Sequence, residues 1–311
     1  IKRLFNRNDN IAILIAGIFS IIIGLGVARF AFTGLIPAML DDYLTIKFVG
    51  ILASLNFAGY LSGSIFSIFV KDINFKVYLY RFGIFLAIST TFILAYSDNN
   101  TLWMIGRVLA GFAGAMCLIV GTSIVMQKLT IKSKTKAMGI HFSGIGFSIL
   151  TTDLLARFVL SLNYSWRDSW AVLAVFAIIL SLYSVYILSF DKEVKQNAVK
   201  VKFDISIFTP FVIVLIIAYF TEGVGFVVQA TFLPDIINNL KGLEGYGSLT
   251  WTLVGVAGIP SCIIWMLLAH RFGSSNIIII ALLLQAVGIL IPAFSSNIYL
   301  NLLSGVLYGG T

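Results

Sequence analysis

The sequence predicts an all-α, polytopic membrane protein, and three observations carry that prediction. Of its 311 residues 59% are hydrophobic and 11% charged, with a mean hydropathy of +1.01, whereas soluble domains carry about a quarter charged residues. Apolar runs of about 20 residues recur along the chain, the length a helix needs to cross a bilayer. These runs are continuous in polarity and do not alternate, which argues against a transmembrane barrel.

The spans follow in order. The first, 11–37, comes after Lys2, Arg3 and Arg7 and so imitates a signal peptide. It runs too long, lacks a small-residue cleavage site and continues through Arg29 to Pro37, so it is expected to stay as a membrane span. Spans at 48–70, 76–97, 102–127, 138–161 and 169–190 complete a group of six. A long connection of mixed charge, from Asp191 to Asp204, then interrupts the pattern. Spans at 207–235, 248–269, 276–294 and 298–311 follow, the last reading as incomplete because its apolar run is cut at Thr311. The expected organisation is an N-terminal six-helix bundle over 1–190, a cytoplasmic linker over 191–206 and a partial C-terminal bundle of about four helices over 207–311. The first residue, Ile1, is not a start methionine, so a trimmed chain is expected.

Charge distribution sets the orientation. Of 21 Lys and Arg residues, 15 fall on the stretches that share a side with the N-terminus, four on the opposite side, and Arg29 and Arg107 within spans. The positive-inside rule places the N-terminus in the cytoplasm of a cell (inner) membrane. The formal net charge of +8 therefore reports topology, and nucleic acid is not an expected partner. Cys117 and Cys262 both lie inside apolar runs, without metal-ligand spacing or a disulfide framework.

Two segments echo each other: Gly24 to Pro37 and Thr221 to Pro234. Each has a Gly-x-Gly pair, a closing bulky-apolar-Pro step and one ionisable residue, Arg29 or Glu222. Aligning Pro37 with Pro234 gives an offset of 197 residues with six spans between equivalent points. An even number of spans makes the two copies parallel, the arrangement expected for halves related by an axis along the membrane normal.

Charges inside such spans are expensive and mark candidate sites. Arg29 lies about 12 Å along its helix from Pro37, at 1.5 Å per residue. It serves either a structural pair with a neighbouring carboxylate or a cavity-facing contact to an anionic group. Glu222 lies about 18 Å from Pro234 by the same rise. Near mid-membrane it suits proton exchange, with a structural bridge to an arginine as the alternative. Arg107 opens an Arg-x-x-x-Gly-x-x-Gly-Ala pattern over Arg107–Ala115, whose small residues share a face for close helix contact. Asp153 and Arg157, four apart, read as a pair on one helix face or as a relay to Arg29 or Arg107. His141, among Gly139, Gly144 and Gly146, is read either as a hydrogen-bonding group or as a proton carrier. The glycines there point to close packing and a rocking contact. Gln229 is the further polar candidate, in the seventh span. Trp103, Trp166 and Trp170 fall at external span ends, where an interfacial aromatic belt is expected.

At this point the residues resemble a known group. The segments Arg29–Pro37, Asn56–Gly63, Trp166–Trp170, Ala230–Pro234 and Gly258–Ser261 resemble the YbfB/YjiJ-type subgroup of the major facilitator superfamily. Arg107–Ala115 resembles that superfamily's fourth-helix motif, and Leu268–Gly273 its loop motif between helices eight and nine, with His270 where that motif usually has Asp. The resemblance implies a major facilitator fold of two parallel six-helix bundles, incomplete at its C-terminal end in this chain, with helices one, four, seven and ten lining a cavity. It implies secondary active transport of a small solute by alternating access, proton-coupled and without enzymatic chemistry or cofactor. The expected partners are the solute, with an anionic one as an option, protons and the lipid bilayer, and a monomer is expected. A non-transporting membrane scaffold or sensor that keeps the fold is the alternative.

Overall fold

The computed structural model describes residue 3 and residues 5–130, 134–189 and 207–311. The linker expected over 191–206 lies outside the described residues, and so do Ile1, Lys2, Lys132, Lys192, Lys195, Lys200 and Lys202 of the charge argument. Among the described residues nine helices are long and apolar enough to cross a membrane: α1 Asn10–Leu40, α2 Ile46–Phe69, α3 Ile73–Tyr96, α4 Asn100–Lys128, α5 Lys134–Ser161, α6 Trp166–Ile187, α7 Pro210–Asn238, α8 Gly247–Phe272 and α9 Ser274–Phe294. A shorter apolar helix, α10 Ile298–Gly310, closes the order. Every one coincides with an expected span. The face bearing Asn10 is called near below, and the face bearing Leu40 far.

Polar turn residues start these helices by binding first-turn amides that have no partner within the helix. Asp9 caps α1 through Ile11 N–H, Thr45 caps α2 through Phe48 N–H, and Asp72 caps α3 through Phe75 N–H. Ser165 and Asp168 form a reciprocal capping box on α6. Thr209 caps α7 with Pro210 in its first turn, where a missing N–H leaves nothing unpaired.

Two details depart from expectation. Pro37 and Pro234 do not end their helices, which run on to Leu40 and Asn238. A proline removes a single rung of the backbone ladder, and a packed membrane helix tolerates that loss near its end. The tryptophans do not form a lipid-facing belt. Trp103, Trp166 and Trp170 are buried, and each indole N–H finds an acceptor within the protein: Ser97 O, an Asp42 carboxylate oxygen and Met39 Sδ respectively. Trp103 and Trp166 make an aromatic plug with Tyr43 under the far ends of α1, α4 and α6.

Part of α1, Ile22–Phe30, and part of α4, Met116–Val120, are wound as π-helix. The two stretches touch. A Cβ on Gly24 would lie 2.3 Å from Cys117 Cβ, and the Ser20 hydroxyl donates to Cys117 O at 2.9 Å. Winding of this kind recurs at functional sites.

Elsewhere glycines let backbones meet. On α4, within the Arg-x-x-x-Gly-x-x-Gly-Ala pattern, a Cβ on Gly111 would lie 1.9 Å from Asn56 O of α2. On α5, a Cβ on Gly146 would lie 2.2 Å from Ile259 N and 2.4 Å from Gly258 C, both on α8. The apolar core of α1–α6 is joined to a second cluster from α1, α5, α7, α8 and α10. Across the gap between the echoing helices, Thr33 Oγ1 donates to Ala230 O at 2.5 Å. Those residues are 197 apart, the offset of the sequence echo.

Candidate functional site

A cavity of about 410 Å³ lies between α1, α2, α4 and α5 on one side and α7, α8, α9 and α10 on the other. That falls in the range of about 300–1,000 Å³ found for small-molecule sites. Its lining runs from mid-depth toward the near face, through Leu118, Ile145, Tyr219 and Cys262. The charged residues in that lining are Arg29 and Glu222.

Arg29 is placed by the π stretch of α1 into a cage of rings. Its guanidinium carbon sits 4.3 Å from the centroid of Phe57, 5.3 Å from Phe30, 5.8 Å from Tyr60 and 5.9 Å from Phe226. Phe226 is again the residue 197 positions on, so the echo brings matched positions into contact. The ion pairs of the described residues do not include Arg29. Cation–π contacts contribute about 0.5–2 kcal/mol each, whereas taking a guanidinium out of water costs several kcal/mol. The rings offset only part of that cost, which leaves five N–H donors suited to an acceptor inside the cavity.

Glu222 faces the same cavity from α7, in polar contact with Gln285 of α9. Tyr308 of α10 stands within electrostatic reach of both Arg29 and Glu222. Its hydroxyl donates to Phe226 O at 3.1 Å, and its ring stacks on Phe226 with centroids 5.3 Å apart.

Arg107 lies behind this wall, 2% exposed. One of its terminal N–H groups donates to Ala28 O at 3.0 Å, and Phe32 covers its guanidinium at 4.3 Å. Asn56 Nδ2 donates to the Arg107 carbonyl at 3.1 Å, fixing α4 on α2. Arg107 Nε has no partner. Arg107 and Arg29 share a void of about 10 Å³, the size of one water molecule.

The other candidates sit away from the cavity. Asp153 accepts from Arg157 at 3.0 Å, as the four-residue spacing suggested, and also from Thr252 Oγ1 of α8 at 2.7 Å. Arg157 in turn donates to Thr252 Oγ1. The three residues form a polar latch between α5 and α8 in the far half of the protein. His141 is fully buried between helices, with Nε2 bonded to Thr122 Oγ1 at 2.8 Å. It abuts Gly17, whose Cβ would lie 2.6 Å from Nδ1. Gln229 ties α7 to α9, with Nε2 donating to Ile289 O at 3.0 Å.

Tyr60, Tyr308 and Gln285 line the cavity without having been singled out from sequence. A lone Gln in an otherwise apolar span was a readable signal. The two tyrosines carried none, because depth in a helix does not reveal which way a ring faces.

A family model described as "Uncharacterised MFS-type transporter YbfB" matches residues 21–311. A TsgA homolog from Buchnera aphidicola subsp. Baizongia pistaciae (strain Bp) is 24% identical over 161 residues, covering 51% of this chain and 41% of that protein. The match thus spans about two fifths of the length of that curated relative. Among solved structures, a D-xylose-proton symporter superposes with a TM-score of 0.64 at 12% identity, over 96% of this chain and 78% of that one. The nucleoside transporter NupG superposes with a TM-score of 0.66 at 15% identity, over 98% and 79%. At these identities the likeness concerns the fold.

Proposed function

The chain belongs to this family of MFS-type transporters, and from that premise we propose that it moves a small solute across a membrane by alternating access, coupled to proton movement. The reading rests on one observation: Arg29 and Glu222 face the same cavity between the two halves, with Tyr308 within reach of both. Glu222 takes up and releases the proton, Arg29 receives the solute, and Arg107 adds its charge from behind the wall. Residues 1–190 and 207–311 rock against each other about the α5–α8 contact, and a single chain suffices. The Lys and Arg distribution supports an N-terminus in the cytoplasm of a cell membrane. In that orientation the cavity faces the cytoplasm, and the Asp153–Thr252–Arg157 latch holds the far side shut. The proton coupling named for the xylose symporter supports this reading without identifying the solute.

The test is proton flux in proteoliposomes carrying a pH-sensitive dye, challenged with sugars, carboxylates and amphiphilic cations. At least one solute should drive proton movement, and Glu222→Gln should abolish it. Accumulation of that solute against its gradient by Glu222→Gln would remove the coupling role. Silence toward every solute would favour the non-transporting scaffold.

A further inference from the structure

The charge balance and wall chemistry of the cavity narrow the ligand. The charged residues lining the cavity and the small void behind it are Arg29, Arg107 and Glu222. With Glu222 ionised the centre carries one net positive charge, and with Glu222 protonated it carries two. In either state the unmet demand is for negative charge. The demand is also localised. Glu222 already has Gln285 beside it, and Arg107 already has the Ala28 carbonyl. Arg29 has only ring faces. A guanidinium presents a planar fork of donors that matches a carboxylate through two parallel bonds.

Six aromatic rings stand in the wall, Phe30, Tyr60, Tyr219, Phe226, Trp251 and Tyr308, and most of the remainder is aliphatic. The edge-to-face pair Phe30–Trp251, with centroids 6.2 Å apart, bridges α1 and α8, and the stacked pair Phe226–Tyr308 joins α7 and α10, so both pairs give the cavity apolar ring surface. Such walls suit a planar apolar body. A sugar would have to match each hydroxyl to one of the scattered polar groups of the wall, those of Tyr60, Tyr219, Trp251, Ser261, Gln285 and Thr311, and each one left unmatched weakens binding.

From these observations we infer that the ligand of this cavity is an aromatic monocarboxylate, its carboxylate on Arg29 and its ring between the Phe30–Trp251 and Phe226–Tyr308 walls. The inference rests on the reading of this cavity as the solute site. It also explains why the cation and the proton-exchanging carboxyl are separate groups: the anion occupies one while the other carries the proton, so the pair crosses without net charge.

Equilibrium binding to the purified, detergent-solubilised protein tests the ligand class without requiring transport. The probes are 3-phenylpropionate, its neutral amide, phenylalanine as the zwitterion, acetate and D-xylose. Phenylpropionate should bind at least tenfold more tightly than any of the others. Arg29→Gln should lose that preference, and Arg29→Lys, which keeps the charge without the fork, should weaken phenylpropionate about tenfold while staying monodisperse. Equal binding of the amide or of phenylalanine overturns the inference, and so does wild-type affinity in Arg29→Gln. The two readings fail separately. Phenylpropionate that binds but drives no proton flux counts against coupled transport alone, whereas proton flux driven by a sugar with no carboxylate binding counts against the ligand class alone.

Discussion

Gly146→Ala is a sharp probe of the contact between α5 and α8. The new Cβ would lie 2.2 Å from Ile259 N, while ordinary van der Waals contact begins near 3.4 Å. The difference, 3.4 − 2.2 = 1.2 Å, is how far α5 and α8 must separate at that level. The atoms met are backbone, Ile259 N and Gly258 C, and no side chain can swing aside. Overpacking of this kind costs about 1–3 kcal/mol. On the alternating-access reading proposed above, that penalty falls only on the state in which these backbones touch, so the ratio of closed to open far-face populations should drop about 5- to 150-fold. Spin labels at the exposed far-end residues Leu162 and Leu249 read those populations as two distances, in a background with Cys117 and Cys262 replaced by alanine. Gly223→Ala is the control, because nothing lies within 4 Å of a Cβ there. A population ratio for Gly146→Ala within twofold of the Gly223→Ala control would refute the reasoning.

The latch and the first turn of α1 give two further predictions. Thr252→Val deletes the hydroxyl that donates to Asp153; a hydrogen bond to a charged group contributes about 1.5–3 kcal/mol, so the same ratio should fall about 10- to 150-fold, and equal behaviour of Thr252→Val and Thr252→Ser would contradict the latch. At the near face, the Arg3 guanidinium and the Ile11 amide hold the Asp9 carboxyl below its ordinary value of 3.8. A depressed value means the cap is fully formed above the unfolded pKa and is lost as pH falls through the folded one. The Ile11 amide resonance in isoleucine-labelled protein should therefore titrate with a midpoint below 3.8, and Asp9→Asn, which still caps, should make it insensitive to acid.

Depth was legible in the sequence and azimuth was not. Hydropathy located every span, and polar caps such as Asp9, Thr45 and Asp72 sit where the apolar runs begin. The echo was legible to the residue, since Thr33 and Ala230 meet at the predicted offset. Arg29 and Glu222 announced themselves because a charge within a membrane span needs a reason. His141 and Gln229 drew attention by polarity, yet both face helix neighbours, because rotation about a helix axis is decided by packing. The tryptophan belt failed for a related reason. An indole N–H at a helix end takes either lipid headgroups or a protein acceptor, and here Asp42, Met39 and Ser97 were available.

The π winding of Ile22–Phe30 carries a consequence for symmetry. A turn closed from i to i+5 holds one residue more than the α turn it replaces, and one residue is about 100° of rotation at 3.6 residues per turn. Its counterpart α7 runs as plain α-helix from Pro210 to Asn238. Beyond Phe30 the two helices keep a common phase, which is why Thr33 meets Ala230. Before Ile22 that phase slips, so the near-side third of α1 presents to its neighbours a face that no stretch of α7 repeats. The stretch behaves as a one-residue insertion absorbed by the winding, and it makes the two faces of the molecule unlike in shape as well as in charge.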